Sequence, residues 1–275
     1  MTDTEAPSTP SWARLLAAVG SPIALATALL FYFGWVRTRF QARALGYDPA
    51  VLDLSIQDYL LKSINVLFLP LVVLVLGFLL LHQQHRRLVG AAQRNHRIRS
   101  AAIRASRLMI KSWPIWIGVA IVLLALPATR LVAIPVSLTA GTLVAIYGNA
   151  LARELDDATR WPPLTSVLVY VLLAFAVFWD TERVARATGE AFAQDILAYP
   201  QQLVSVQVYS EKRLEISAAG TKETELRDDS AYTFLYTGLR LLEGTKDRYV
   251  LLNEDGGHVL VLRDIDSLRF EFSGF

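Results

Sequence analysis

The stretch SINVLFLPLVVLVLGFLLL, residues 63 to 81, contains no charged residue over 19 positions. At about 1.5 Å of rise per residue, a helix of this length can cross a hydrocarbon layer of roughly 30 Å. Four more uncharged runs of similar length occur at residues 15 to 36, 112 to 129, 131 to 152 and 161 to 179. The sequence therefore predicts a multi-pass membrane protein, an α-helical bundle of about five transmembrane helices.

The six tryptophans lie near the ends of these runs, at positions 12, 35, 113, 116, 161 and 179. Indole rings prefer the headgroup level of a bilayer, so their placement supports the same boundaries. Between the third and fourth runs, Arg130 is flanked by Pro127 and Pro135. Because proline interrupts a helix, we expect a tight turn there that brings Arg130 to the membrane surface.

Charge divides the chain into two parts. Residues 1 to 179 carry 16 Lys or Arg and 8 Asp or Glu, whereas residues 180 to 275 carry 11 and 17. This pattern predicts a transmembrane domain at 12–179 and an acidic, water-soluble carboxyl-terminal part. The Ser, Thr and Pro content of residues 2–11 predicts a short disordered tail at 1–11. The chain has no cysteine, which excludes disulfides and thiolate chemistry, and its 22 Arg against 5 Lys are typical of a bacterial, GC-rich genome.

The distribution of Lys and Arg beside the spans predicts an orientation. With five spans, the amino-terminal side carries 11 of these cations and the opposite side carries 7. Because cations near the spans favour the cytoplasm, we expect a cytoplasmic amino terminus and a carboxyl-terminal domain outside the cytoplasm.

A basic stretch without acidic residues runs from Gln83 to Lys111. Its apolar positions recur at spacings of three and four, which predicts one basic amphipathic helix at 83–111 lying on anionic lipids. In the alternative interpretation, the charges only fix the orientation of the chain. No aromatic residue is interleaved with them, so we expect no nucleic-acid partner. The eight cations are Arg86, Arg87, Arg94, Arg97, Arg99, Arg104, Arg107 and Lys111.

Small or polar residues recur every four positions in the fourth run. Such a stripe permits close packing between helices in a membrane. The alternative is a narrow polar path along Ser137, Thr142 and Asn149. No Asp, Glu, Lys, Arg or His lies inside any of the five runs, which disfavours ion-coupled transport. The stripe consists of Ala133, Ser137, Gly141, Ala145 and Asn149.

The segment between the first two spans contains two helix-start signals. Asp48 precedes Pro49, and Ser55 with Asp58 resembles a capping box. We interpret Asp53 and Asp58 as capping or solvated residues rather than catalytic ones. His82 and His85 lack the further ligands that a metal site requires, and no cofactor-binding motif occurs, so we predict no metal or cofactor.

Beyond the last span, helical spacing predicts a connecting helix at 180–200, and period-two alternation predicts a β domain at 201–275. We expect about six short strands forming a small antiparallel barrel or sandwich that folds independently of the membrane part. The strands are expected at Val204 to Tyr209, around Leu214 and Ile216, at Tyr232 to Tyr236, Tyr249 to Leu252, His258 to Leu262 and Leu268 to Phe272.

Two segments carry a resemblance to a known group. FYFGWVRTRFQARALGYDPAVLDLSIQDYLLKSINVLFLPL, from Phe31, and YTGLRLLEGTKDRYVLLNEDGGHVLVLRDIDSLRFEF, from Tyr236, resemble uncharacterised multi-pass membrane proteins of actinobacteria. The resemblance implies a shared architecture of membrane spans followed by a small β domain. It implies no activity and no site residues.

Together these features predict a non-enzymatic membrane protein whose β domain recognises a protein, peptide or envelope ligand. A compact β fold without a cluster of catalytic residues is more often a binding module than an enzyme. The alternative is an oligomeric channel or pore gated by the β domain, and in either case the chain is a candidate homo-oligomer.

Overall fold

The computed structural model describes residues 22–127, 129–155, 161–227, 231–255 and 257–274. These residues form two compact units, one comprising the chain up to Ile64 and from Arg186 onward, the other Asn65 to Ala185. The expected tail at 1–11 and the first part of the first run, 15–21, lie outside the described residues. The helices are α1 (Pro22–Leu45), α2 (Ile56–Arg94), α3 (His96–Ile110), α4 (Trp113–Ala125), α5 (Ala133–Leu155) and α6 (Pro163–Ala198).

Three of these helices, α2, α5 and α6, are long and apolar enough to cross a membrane. Helix α4 has only 13 residues, about 20 Å, so alone it is too short to cross. It forms a pair with α3 that is bent by 55°, and this pair counts as a fourth candidate when taken as one broken span. Within the described ranges, the structure therefore contains three or four candidate spans, whereas the sequence predicts about five.

The sequence predicts one of two breaks between helices correctly. Helix α4 ends at Ala125 and α5 begins at Ala133, which confirms the turn expected around Arg130. The span expected at 161–179 and the connecting helix expected at 180–200 form one continuous helix, α6, which ends two residues before Pro200. Helical propensity continues across residue 180, since neither proline nor glycine interrupts the chain there.

In the Asn65–Ala185 unit, α3 packs against α5 around a small apolar core formed by Val89, Ala92, Ala102, Leu151 and Leu155. Gly148 permits this contact. A Cβ atom at that position would lie 2.7 Å from the Cβ of Met109 and 3.0 Å from the carbonyl oxygen of Ser106.

The carboxyl-terminal part of the other unit is an antiparallel sheet of six strands: β1 (Ser205–Ser210), β2 (Lys222–Glu225), β3 (Phe234–Gly244), β4 (Arg248–Asn253), β5 (Val259–Arg263) and β6 (Leu268–Ser273). Five of them lie in the order β5-β4-β3-β1-β6. Strand β2 pairs with the first part of β3, and β4 pairs with the second part. Gly238, with a φ of +81°, lies where the partner changes. A Cβ there would lie 2.2 Å from the carbonyl oxygen of Gly220.

One expected strand was wrong. Leu214 and Ile216 are not in a strand, although their side chains pack against the apolar core of the sheet. The missing strand is β2, Lys222–Glu225, whose four residues are all exposed. Because β2 buries no side chain, its sequence has no apolar alternation to reveal it.

One face of the sheet surrounds a core of Val206, Val208, Tyr236, Leu239 and Leu251. The rings of Tyr249 on β4 and Phe270 on β6 are 4.5 Å apart, although β3 and β1 lie between these strands. Neighbouring strands are about 4.8 Å apart, so a contact across three strand spacings requires strong curvature. The expected barrel or sandwich is observed as one curled sheet.

The other face of β4 is buried by helices. Leu252 packs with Leu45 of α1 and with Ala193 and Ile196 of α6. Residues Val250 to Asn253 are therefore all buried, which explains why β4 is apolar without alternation. The sheet therefore shares part of its core with α1 and α6. Independent folding of the β domain, which the sequence predicts, stays a prediction that the isolated fragment tests.

Two glycines bring helices of this unit into backbone contact. A Cβ at Gly34 would lie 1.9 Å from the carbonyl oxygen of Tyr59, and a Cβ at Gly189 would lie 2.4 Å from that of Arg37. Both positions therefore require glycine for α1 to approach the start of α2 and the end of α6. These contacts hold α1 close to the start of α2 and thereby constrain the segment that connects the two helices.

Candidate functional site

The connection between α1 and α2, residues 46–55, has a defined structure. Gly46, with a φ of +85°, ends α1. The Asp48 Oδ1 atom then accepts a hydrogen bond of 2.9 Å from the backbone N–H of Ala50. This bond caps a 3₁₀ turn at Pro49–Leu52, a helix start that the Asp-Pro pair predicts. Leu52, the last residue of the turn, is completely buried.

The capping box at the start of α2 is confirmed. The backbone N–H of Ser55 donates to Asp58 Oδ2 at 2.8 Å, and the backbone N–H of Asp58 donates to Ser55 Oγ at 3.3 Å. The hydrogen bonds from Ser55 hold the pKa of Asp58 below its usual range. Asp58 therefore serves as a helix cap, as expected.

One turn further along α2, Lys62 forms an ion pair with Glu243 of β3. The two side chains are only 21% and 15% exposed, so the pair is largely withdrawn from water. Tyr47 donates a hydrogen bond of 3.5 Å to the other oxygen of Glu243. Burial, followed by the Glu243 carboxylate, raises the pKa of Tyr47 far above its usual range. Tyr47 is therefore a neutral donor.

A second polar contact joins the connection to the sheet. The Arg248 guanidinium, at the start of β4, donates to the carbonyl oxygen of Val51. A break in register between Leu241 and Glu243 places a bulge beside the ion pair. The β3–β4 hairpin is thus attached to the connection through both of its strands.

These contacts border a groove of about 600 Å³, which we call the junction groove. Residues 52–62 form one wall, and residues 243–248 form the other. Asp53, Lys246 and Asp247 contribute exposed charges of both signs. The volume is within the usual range of 300 to 1,000 Å³ for ligand sites, and mixed charges beside backbone groups suit a polar ligand that carries both signs.

The basic stretch is split between two helices. Helix α2 continues through Arg94, and Asn95 then caps α3 by accepting a 2.9 Å hydrogen bond from the N–H of Arg97. The prediction of a single amphipathic helix at 83–111 is therefore wrong, because the helix is interrupted at Asn95. All eight cations of the stretch are exposed. Helix α2 carries Arg86, Arg87 and Arg94, helix α3 carries Arg97, Arg99, Arg104 and Arg107, and Lys111 directly follows α3.

The apolar side of α3 packs on protein. Ile98, Ala102 and Ile103 lie against the core shared with α5, and Arg99 donates to the carbonyl oxygen of Leu155 at 3.2 Å. A cation at this position also complements the negative end of the α5 dipole. The cations on α3 remain at the surface, while part of its apolar face is already used for packing.

The small-residue stripe occupies one side of α5, where Ala133, Ser137 and Asn149 are buried and Ala145 is partly buried. A Cβ at Gly141 would lie 2.7 Å from Cγ of Trp116, so this position accommodates an indole ring of α4.

The polar members of the same helix are mostly engaged within the bundle. Asn149 Oδ1 accepts from the backbone N–H of Trp161 at 3.1 Å, and the Thr142 hydroxyl donates to the carbonyl oxygen of Leu138 at 2.7 Å. The Ser137 hydroxyl has no hydrogen-bond partner among the described residues. It lies beside a largely apolar pocket of about 490 Å³ that Trp113, Trp116 and Trp161 also line.

His85 is placed in a polar contact of the bundle. Its Nε2 atom lies 3.8 Å from Oε1 of Glu154, and its ring meets that of Tyr147 edge to face. Within the described ranges, no group of three or more His, Cys, Asp or Glu is arranged to hold a metal ion.

Sequence reasoning missed the residues that attach the sheet to the connection: Lys62, Glu243 and Arg248. A signal was present, since Glu243 follows two leucines near the end of β3 and Lys62 directly precedes an uncharged span. Their pairing depends on the tertiary fold.

Comparison of the chain with protein-family models, curated protein sequences and solved structures finds no match. The function is therefore inferred from the residues and their geometry.

Proposed function

We propose that this chain is a non-enzymatic integral membrane protein of a bacterial envelope, whose β domain binds a peptide in the junction groove. One observation carries the proposal: the β3–β4 hairpin is held against the connection between α1 and α2, and a groove with charges of both signs lies between them. With the five spans that the sequence predicts, the amino terminus is cytoplasmic, and the β domain lies outside the cytoplasm on the same side as residues 46–62.

The apolar surface of the helices supports insertion in a bilayer. Nearly every large apolar side chain of α2 from Leu71 to Leu81 is about half exposed or more. In water this surface would exceed the few hundred Å² of contiguous apolar patch found on soluble monomers. Lipid is the solvent in which such a helix is stable.

The charged groups of the groove support binding over catalysis. The Asp58 carboxylate caps α2, and the Glu243 carboxylate is held by Lys62 and Tyr47. Neither carboxylate is available as an acid or base. Lys246 and Asp247 are exposed and complement a ligand with both charge signs, and a peptide supplies these together with backbone donors and acceptors.

The test is selection of mixed-charge decapeptides from a displayed library against the full chain in nanodiscs. Peptides selected over empty nanodiscs should lose binding to the charge-reversed double variant Lys246→Glu with Asp247→Lys. The matched control is Arg269→Glu with Glu271→Arg, which reverses an exposed ion pair on β6 and should bind like the wild type. Equal binding by both double variants, or no selected peptide, would contradict the proposal.

The pore alternative makes a different prediction. Thr142 and Asn149, two of the three side chains of the expected polar path, use hydrogen-bonding groups inside the bundle. This favours a packing role for the stripe. Purified protein in liposomes should therefore show no conductance above that of empty liposomes, whereas reproducible unitary currents would favour the pore.

A further inference from the structure

A second groove, of about 570 Å³, lies where α1 ends and α2 begins. We call it the arginine groove. Trp35, Arg39 and Arg43 line it from α1, Tyr59 lines it from α2, and residues 46–50 close it. It contains none of the residues of the basic stretch at 83–111 and none of the β-strand residues.

Close helix packing forms the aromatic side of this groove. Because Gly34 has no side chain, α1 approaches the backbone of Tyr59 directly. The Tyr59 ring then meets Phe31 edge to face, with centroids 5.2 Å apart. Trp35 and Tyr59 consequently line one groove where the first apolar run ends, the level at which Trp and Tyr are enriched in membrane proteins.

Among the described residues, the two cations of the groove have no anionic partner. Arg39 and Arg43 are four residues apart, so they lie on the same face of α1. Both are exposed, and the described residues form no ion pair with either of them. Their guanidinium groups lie over aromatic rings instead, Arg39 at 5.0 Å from Trp35 and Arg43 at 5.7 Å from Phe40.

One carboxylate lines the groove beside the two arginines. Asp48 uses its Oδ1 atom to cap the 3₁₀ turn. Two guanidinium groups against one carboxylate leave the groove with a local charge of +1, which complements the single negative charge of a phosphodiester. Arginine binds phosphate through paired N–H donors, a geometry that a lysine ammonium does not provide.

We propose that the arginine groove binds the phosphate of an anionic membrane phospholipid, with the phosphodiester between Arg39 and Arg43 and the lipid chains alongside Trp35 and α1. This inference rests on the proposed membrane insertion. It assigns a discrete lipid site to residues other than the exposed cations of 83–111, whose expected contact with anionic lipid is diffuse.

The experiment is native mass spectrometry of the full chain in detergent after delipidation and titration with phosphatidylglycerol. The wild type should bind one tightly held phosphatidylglycerol. Loss of both charges in Arg39→Gln with Arg43→Gln should weaken that binding by about tenfold or more, since each cation beside an anionic lipid contributes roughly 1 kcal/mol. The control Arg227→Gln with Arg263→Gln removes two exposed arginines of the β domain and should leave binding unchanged.

Two further arms identify the chemistry. The variant Arg39→Lys with Arg43→Lys keeps the charge but removes the paired donors, and it should bind more weakly than the wild type and more tightly than the glutamine variant. Soluble glycerol phosphate should not displace the lipid at equal concentration, because it lacks the chains. Equal displacement would show a site for free phosphate and would overturn the lipid proposal.

The remaining outcomes separate this inference from the proposed function. Unchanged phosphatidylglycerol binding in the glutamine variant, or equal binding of phosphatidylcholine by the wild type, would overturn the arginine site while leaving membrane insertion intact. Release of the chain from membranes by alkaline washing would overturn membrane insertion itself, and the lipid site with it.

Discussion

Lys62, at the start of α2, forms an ion pair with Glu243 on β3, although the two residues are 181 positions apart in the chain. The pair joins the start of an apolar helix to a sheet formed by the last quarter of the sequence. Tyr47 donates to the same carboxylate, so three separate segments meet at Glu243. This junction defines one end of the groove in which we place ligand binding.

Glu243→Ala should destabilise the protein by about 2 to 4 kcal/mol, because it leaves the largely buried Lys62 ammonium without its partner. Thermal unfolding in detergent, followed by intrinsic fluorescence, measures the change. Glu271→Ala is the control. It removes an ion pair whose side chains are 61% and 42% exposed, and should cost less than about 1 kcal/mol. Equal losses in the two variants would contradict a structural role for the Lys62–Glu243 pair.

The capping box predicts a pH-dependent effect of Ser55→Ala. In the wild type, hydrogen bonds from Ser55 lower the pKa of Asp58, so the associated stability is present above the usual aspartate pKa of about 4 and is lost as pH falls through the lowered value. Ser55→Ala should therefore cost about 1 kcal/mol at pH 7, and the difference from wild type should shrink on acidification. Urea denaturation at pH 7 and pH 3 measures both differences. A difference that stays constant would exclude the Ser55–Asp58 coupling.

Gly34→Ala tests the backbone contact between α1 and α2. A Cβ at this position would lie 1.9 Å from the carbonyl oxygen of Tyr59, and a backbone atom cannot move aside as a flexible side chain can. We expect a loss of about 1 to 3 kcal/mol, typical of overpacking. Gly77→Ala, where nothing lies within 4 Å of the new Cβ, should be neutral or slightly stabilising. Similar unfolding temperatures for the two variants would show that α1 and α2 are not in contact.

The isolated sheet should aggregate in solution. Residues 200–275 expressed alone would expose the face formed by Leu242, Leu252 and Val259, which α1 and α6 cover in the whole chain. We expect aggregation at micromolar concentration, measured by size-exclusion chromatography, and improved solubility on Leu252→Ser. The same substitution should destabilise the full chain, because Leu252 is fully buried there. A monomeric, stable wild-type fragment would support the independent domain expected from the sequence.

The sequence predicts local features well where a short-range rule determines them. The cap at Asp48, the capping box at Ser55 and Asp58, the turn around Arg130 and five of the six strands depend on neighbouring residues, and the structure contains them. The break at Asn95 has a local cause too, since its side chain caps α3, but the helical period on both sides of it conceals the interruption.

The remaining features depend on long-range contacts. Strand β2 is fully exposed and carries no apolar period, so only its pairing with β3 defines it. The apolar run of β4 is consistent with a strand buried on both faces, but the sequence does not indicate that Leu45 and Ile196 cover the second face. Lys62 and Glu243 are each visible as isolated charges, whereas their meeting requires the complete fold.

The most direct test of the account is cross-linking in alkali-washed membranes. The chain has no cysteine, so Lys62→Cys with Glu243→Cys introduces a single reactive pair. After treatment with a short bis-maleimide, the account predicts that the chain remains in the membrane pellet and that mass spectrometry recovers a peptide linking positions 62 and 243. Release of the chain into the wash, or a pelleted chain in which the two cysteines react only separately, would contradict a membrane protein with its β domain fixed to the start of α2.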